Sequence, residues 1–90
     1  MITDIQKYLV EFVGTFIFVS TILLSGNAWL IGLSLAILIF LFDWVSGGAF
    51  NPAVALILFR KKHINMVQMF GYIVFEVLGA ICAYELWNKQ

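Results

Sequence analysis

Three groups in this chain could do chemistry where chemistry is costly. Glu11 and Glu76 are carboxyls inside otherwise apolar runs, and Asn51 opens a short apolar segment behind the pair Gly47-Gly48. An acid at such a position is expensive to keep and marks a functional site by default. Glu11, near one end of its run, reads as such a site or as a side chain snorkelling to an interface. Glu76 sits mid-run and reads as a protonated acid or a proton relay. Asn51 is a good helix N-cap, since its side-chain oxygen can accept from first-turn N–H groups. Pro52 follows at the first helical position, where its missing N–H costs nothing. Gly47 and Gly48 permit tight, exposed backbone just before the cap. One cysteine, Cys82, and one histidine, His63, cannot build a metal cage. No residue set suggests catalysis, and no cofactor is expected.

The elements that position these groups must live in lipid. Of 90 residues 63% are apolar and 11% charged, against roughly 45–50% and 25% in soluble domains. So small a soluble fold needs far more polar surface. A soluble globular enzyme, a disordered tail and a disulfide scaffold are thereby excluded. Five acids balance five bases, which leaves no nucleic-acid footprint.

A membrane-crossing helix needs about 20 mostly apolar residues. Spans are expected at 8–25, 28–45 and 66–87, within a single domain 1–90. Pro52 to Phe59 is only eight residues and reaches roughly 12 Å, less than half of a hydrocarbon core of about 30 Å. Residues 46–60 are therefore expected to enter the membrane and return as a re-entrant loop and half-helix. Non-helical backbone at that depth is tolerated only inside protein or against a water-filled cavity, which is itself a hint of function. The fold class is all-α: three transmembrane helices plus one half-helix carrying Asn51-Pro52-Ala53. Gly32/Ala36 and Gly79/Ala83 are small-residue steps expected to pack helices closely, and Cys82 is expected as inert packing. Trp29 and Trp87 read as interfacial anchors, and Asp43 and Trp44 as an interfacial pair or a gate at a pore mouth.

Lys7, Arg60, Lys61 and Lys62 lie at one side of these spans and Lys89 at the other. Four against one places the N-terminus and the basic loop 60–63 in the cytoplasm of a multi-pass membrane protein. Gly26-Asn27-Ala28 loosely imitates a signal cleavage site, but Asp4 and Glu11 do not suit a signal peptide.

Ser46-Gly47-Gly48-Ala49-Phe50-Asn51-Pro52-Ala53-Val54 resembles the first signature loop of the aquaporin and glycerol-facilitator family, the major intrinsic proteins. Glu11-Phe12-Val13-Gly14-Thr15-Phe16 resembles that family's first-helix motif. Glu76-Val77-Leu78-Gly79-Ala80 resembles its third-helix motif, with glutamate where the family usually has glutamine. The motifs come in family order and match its first half only, one of two inverted repeats. The resemblance implies that Glu11, and with it Glu76, braces the re-entrant loop by accepting hydrogen bonds. It implies a pore lined by Gly47, Gly48, Ala49, Phe50, Asn51, Pro52 and Ala53, in which free carbonyls lead to the Asn51 amide and a positive half-helix end disfavours cations and protons. The sequence departs from the family at Ile31, on the second-helix filter position, and at Trp44, Ala49 and Val54, where histidine, glycine or arginine is usual in one or other half.

The implied function is passive passage of water or small neutral solutes, with lipid and a facing half as partners: a second, antiparallel copy or a separate aquaporin-like half. The alternatives are a small proton-coupled dimeric exporter using Glu11 or Glu76, and a truncated, non-conducting family member.

Overall fold

The computed structural model describes residues 1–88. They form four helices: α1 Asp4–Ser25, α2 Ala28–Ser46, α3 Pro52–Arg60 and α4 Met66–Trp87. Lys89, the single charge counted on the outer side, lies outside the described residues.

Short polar signals set the helix boundaries. Thr3 and Gln6 form a capping box, with Gln6 N–H donating to Thr3 Oγ1 at 3.2 Å and Thr3 N–H to Gln6 Oε1 at 2.8 Å. This box starts α1 at Asp4, ahead of the apolar run that begins at Tyr8; a count of apolar residues does not register a polar first turn. Gly26 closes α1 in the left-handed region at φ 57°. Asn27 then caps α2 at once, its Oδ1 accepting from Trp29 N–H at 3.0 Å and Leu30 N–H at 3.1 Å. That two-residue turn sends α2 back alongside α1. Asn51 Oδ1 accepts the Ala53 N–H at 2.8 Å and starts α3 at Pro52. Asn65 and Gln68 form a second capping box at the start of α4.

Helices α1, α2 and α4 hold 22, 19 and 22 residues, which at about 1.5 Å per residue matches a hydrocarbon core of about 30 Å. Helix α3 has 9 residues, roughly 14 Å, and cannot cross. Its approach folds back on α2: a Cβ on Gly48 would lie 3.4 Å from the Ile39 Cα. The architecture is three apolar spans and one re-entrant half-helix.

α1 lies between α2 and α4, and α3 packs on α4. α1 and α4 run parallel and in register. Gln68 Nε2 donates to Asp4 Oδ1 at 2.9 Å at one end, and Trp87 Nε1 donates to Ser20 Oγ at 2.8 Å at the other. Between them Tyr8 stacks on Phe75 with centroids 5.4 Å apart and meets Tyr72 edge-on at 6.1 Å. The two backbones come close at Gly79, where a Cβ would stand 2.5 Å from the Phe12 carbonyl oxygen and 3.2 Å from the Phe16 nitrogen. Gly79 and Ala83 thus form the tight seam with α1, and both are buried. Gly32 and Ala36 face outward with nothing against Gly32, and Cys82 is also exposed, so these three pack nothing within the chain.

A small core of Ala49, Ala55, Ile64, Met69 and Tyr72 sits where the loop, α3 and the start of α4 meet. Most large apolar side chains point outward instead, Trp29 at 87% exposure and Phe40 at 84% among them. Water would not tolerate that surface; lipid or another protein face would.

Candidate functional site

Residues 47–51 join α2 to α3, and their shape requires unusual backbone. Gly47, Gly48 and Phe50 have φ of 89°, 62° and 50°. For Phe50 the left-handed region costs about 1–2 kcal/mol, so the surroundings must hold it there. They do so at both ends of the residue. Its ring occupies the space over Gly14, where any Cβ would collide with it. Its N–H donates to Glu11 Oε1 at 2.7 Å.

Glu11 is fully buried. Its Oε2 accepts from Ser46 Oγ at 2.6 Å and from the Ala49 N–H at 3.3 Å. Ser46 Oγ in turn accepts the Gly48 N–H at 3.3 Å. From α4, the Tyr72 hydroxyl donates to the Ser46 carbonyl oxygen at 2.6 Å. Three consecutive loop N–H groups, at residues 48, 49 and 50, therefore end on two side chains. A carboxylate buried this deeply needs such donors, because unpaired burial costs far more than the bonds return.

Glu76 is placed beside this network and outside it. It is 1% exposed, and neither carboxyl oxygen has a hydrogen-bond partner. Its polar neighbours are the Glu11 carboxyl and the Asn51 backbone. Glu11 and Ser46 take the N–H groups of residues 48–50, and the loop backbone that faces Glu76 is that of Asn51. Thr15 Oγ1 is likewise buried and without a partner. Both residues border a cavity of about 200 Å³ at the tip of α3, together with Phe18, Phe50, Asn51 and Pro52.

Of the expected site residues, Gly48, Ala49 and Phe50 are buried, Asn51, Pro52 and Ala53 are exposed at the tip of α3, and Gly47 is exposed at the other end of the loop, beside Leu58 in the last turn of α3. Ile31 stands apart. It is half-buried near the start of α2, roughly 12 Å along the helix from Ile39, where the loop folds back. Asp43 and Trp44 are exposed at the other end of α2. Ser46 and Tyr72 belong to the network and were not anticipated. Tyr72 lies four residues before Glu76 and so shares its helix face, and Ser46 is the last residue before the first glycine; those were the available signals. Among the described residues no cluster of His, Cys, Asp or Glu could hold a metal ion.

With this geometry in view, the comparisons with known proteins are informative. The family model "Major intrinsic protein" matches residues 21–89. A glycerol uptake facilitator-like protein of Lactiplantibacillus plantarum is 36% identical over 87 residues, covering 87% of this chain and 40% of that protein. Aquaporin PIP2-7 of Arabidopsis thaliana is 39% identical over 59 residues, 66% of this chain and 21% of its own length. Aquaporin PIP2-5 of Zea mays is 43% identical over 61 residues, 68% of this chain and 21% of its own length. No solved structure matches the chain. The chain thus spans 40% or less of the length of these relatives. Its three apolar helices make it an integral, multi-pass membrane protein. The match over residues 21–89, on a fold of three spans and a braced half-helix, establishes that this chain belongs to the major intrinsic protein family and corresponds to its first half.

Proposed function

We propose that this chain supplies one half of a transmembrane channel for water or small neutral solutes, completed by a facing half that is an antiparallel second copy or a separate partner. The observation that carries this reading is the set of hydrogen bonds from Ser46, Ala49 and Phe50 to Glu11. They turn the loop N–H groups inward, which leaves the carbonyls of Gly47, Gly48, Ala49 and Phe50 as acceptors for a passing molecule. Asn51 Oδ1 is committed to the Ala53 N–H, so its side-chain NH₂ is the free donor at the tip. The partial positive charge at the start of α3 adds to that donor and opposes cations. Pro52 and Ala53 present the exposed tip to the facing half, and Ile31 narrows the path nearer the start of α2. Apolar Ile31 and Val54 supply no charge to the path, which suits an uncharged solute. Glu11 is the loop brace, and Glu76 backs it.

One half-helix gives half of such a site, and two in inverted orientation give the whole. The basic turn at residues 60–63 and the N-terminus face the cytoplasm in this proposal, following the charge bias. A homodimeric pore requires both orientations to coexist, which tagging of both termini reads directly.

The competing reading is a small proton-coupled dimeric exporter. The partnerless carboxyl of Glu76 favours it; Glu11, with three donors upon it, is fully committed to the loop. Vesicle swelling separates the two. For a channel the osmotic response is insensitive to an imposed proton gradient. Solute movement that collapses with the gradient establishes the exporter, and no response in either assay establishes a non-conducting family member.

A further inference from the structure

The turn between α3 and α4 carries Arg60, Lys61, Lys62 and His63 in succession, all exposed. Cations at the end of a helix ordinarily serve its unsatisfied carbonyls. Here the backbone already does so: Lys61 N–H donates to Ile57 O, Lys62 N–H to Phe59 O and His63 N–H to Leu58 O, each at 2.9 Å. The cationic side chains are therefore not needed as caps. At the same end of the bundle Asp4 is engaged by α4, its Oδ1 accepting from Gln68 Nε2 at 2.9 Å.

The turn is also held rigidly, at a cost. Lys62 closes it at φ 66°, a left-handed position that glycine adopts freely and that costs a lysine about 1–2 kcal/mol. Ile64, only 7% exposed, anchors the next residue but one, and Asn65 then caps α4. A strained non-glycine residue on a well-determined turn is a reason to look for function. The backbone that carries these cations is therefore already ordered before they meet an anion.

The surface just past the cations decides which anion. The start of α4 exposes Met66, Val67 and Phe70, and the outer face of α3 exposes Leu56 and Ile57. A charged turn bordered by apolar side chains fits a molecule with a negative head and hydrocarbon tails.

We propose that this turn is a docking site for an anionic phospholipid of the leaflet it faces, the phosphate resting on Arg60, Lys61 and Lys62 and an acyl chain lying along Met66, Val67 and Phe70. Each basic side chain close to a charged membrane surface contributes about fivefold in affinity. The site does not depend on whether the chain conducts.

The test uses the purified chain in bilayers of mixed phosphatidylcholine and phosphatidylglycerol, with spin-labelled lipids reporting which headgroup borders the protein. The wild type is expected to favour labelled phosphatidylglycerol, and Lys61→Gln to reduce that preference about fivefold. Lys62→Gly removes a charge and relieves the backbone strain, so it is expected to raise thermal stability in detergent while lowering the preference. Equal association of both lipids with the wild type, or an unchanged preference in both variants, overturns the proposal. Inorganic phosphate that abolishes the preference at millimolar concentration also overturns it, by identifying a site for the free anion.

Discussion

The carboxylate of Glu11 accepts the backbone N–H of Phe50 at 2.7 Å, across 39 residues of sequence. This bond ties the first span to the point where the chain turns back inside the membrane. It also holds Phe50 in a left-handed conformation that its side chain resists. The loop therefore keeps its shape because α1 imposes it.

Replacing that carboxylate tests the tie. Glu11→Ala leaves the Ser46 hydroxyl and the N–H groups of Ala49 and Phe50 buried without an acceptor. Each such orphan costs about 1–3 kcal/mol. The variant is expected to lose about 3 kcal/mol or more of stability, read by thermal unfolding in detergent. Hydrogen exchange at Ala49 and Phe50 should accelerate while α4 amides keep their protection. Uniform acceleration over the whole chain would mean that Glu11 supports the fold in general rather than the loop.

Glu76 gives the opposite expectation. Its carboxyl is buried against the carboxyl of Glu11 and the backbone of Asn51. Glu76→Gln removes a potential buried charge and adds an NH₂ donor where Glu11 offers acceptor lone pairs. A gain of about 1–3 kcal/mol is expected, seen as a higher unfolding temperature. A clear loss of stability would show that the acid is making a bond that the amide cannot replace.

A single substitution at two glycines separates the tight seam from open surface. Gly79→Ala drives a methyl group into the Phe12 carbonyl oxygen, which is backbone and cannot step aside. It should cost about 1–3 kcal/mol despite the better helix propensity of alanine. Gly32→Ala meets nothing and should gain up to about 1 kcal/mol from that same propensity. Thermal unfolding of the two variants side by side checks both signs; equal effects would place the α1–α4 contact elsewhere.

Much of this architecture was legible because its signals are local. Asn51-Pro52 marks the start of α3, the length of the apolar segment shows that it cannot cross, and Gly26-Asn27 marks the reversal between α1 and α2. Helix α1 begins at Asp4, ahead of the apolar run, because the capping box of Thr3 and Gln6 is polar and is not registered by a count of apolar residues. The network around the loop was only partly legible. The motif resemblance connected Glu11 with the loop, while Ser46 and Tyr72 were marked only by position, one beside the glycine pair and the other one turn before Glu76. That Glu76 lies against Glu11 and the Asn51 backbone is a property of three packed segments and not of any one of them. Gly32 and Gly79 read alike as small-residue steps, but only packing distinguishes a seam from an outer face.

Water permeability of liposomes bearing the purified chain tests the proposed pore most directly, with Asn51→Asp as the decisive variant. Aspartate is as good an N-cap as asparagine, so α3 should still begin at Pro52 while the donor at its tip is lost. The wild type is expected to shrink vesicles faster than empty liposomes do. Asn51→Asp should lower the added permeability about tenfold, the equivalent of roughly one hydrogen bond in the barrier. A wild type indistinguishable from empty liposomes, or an Asn51→Asp variant that conducts as well as the wild type, would contradict a path through this tip.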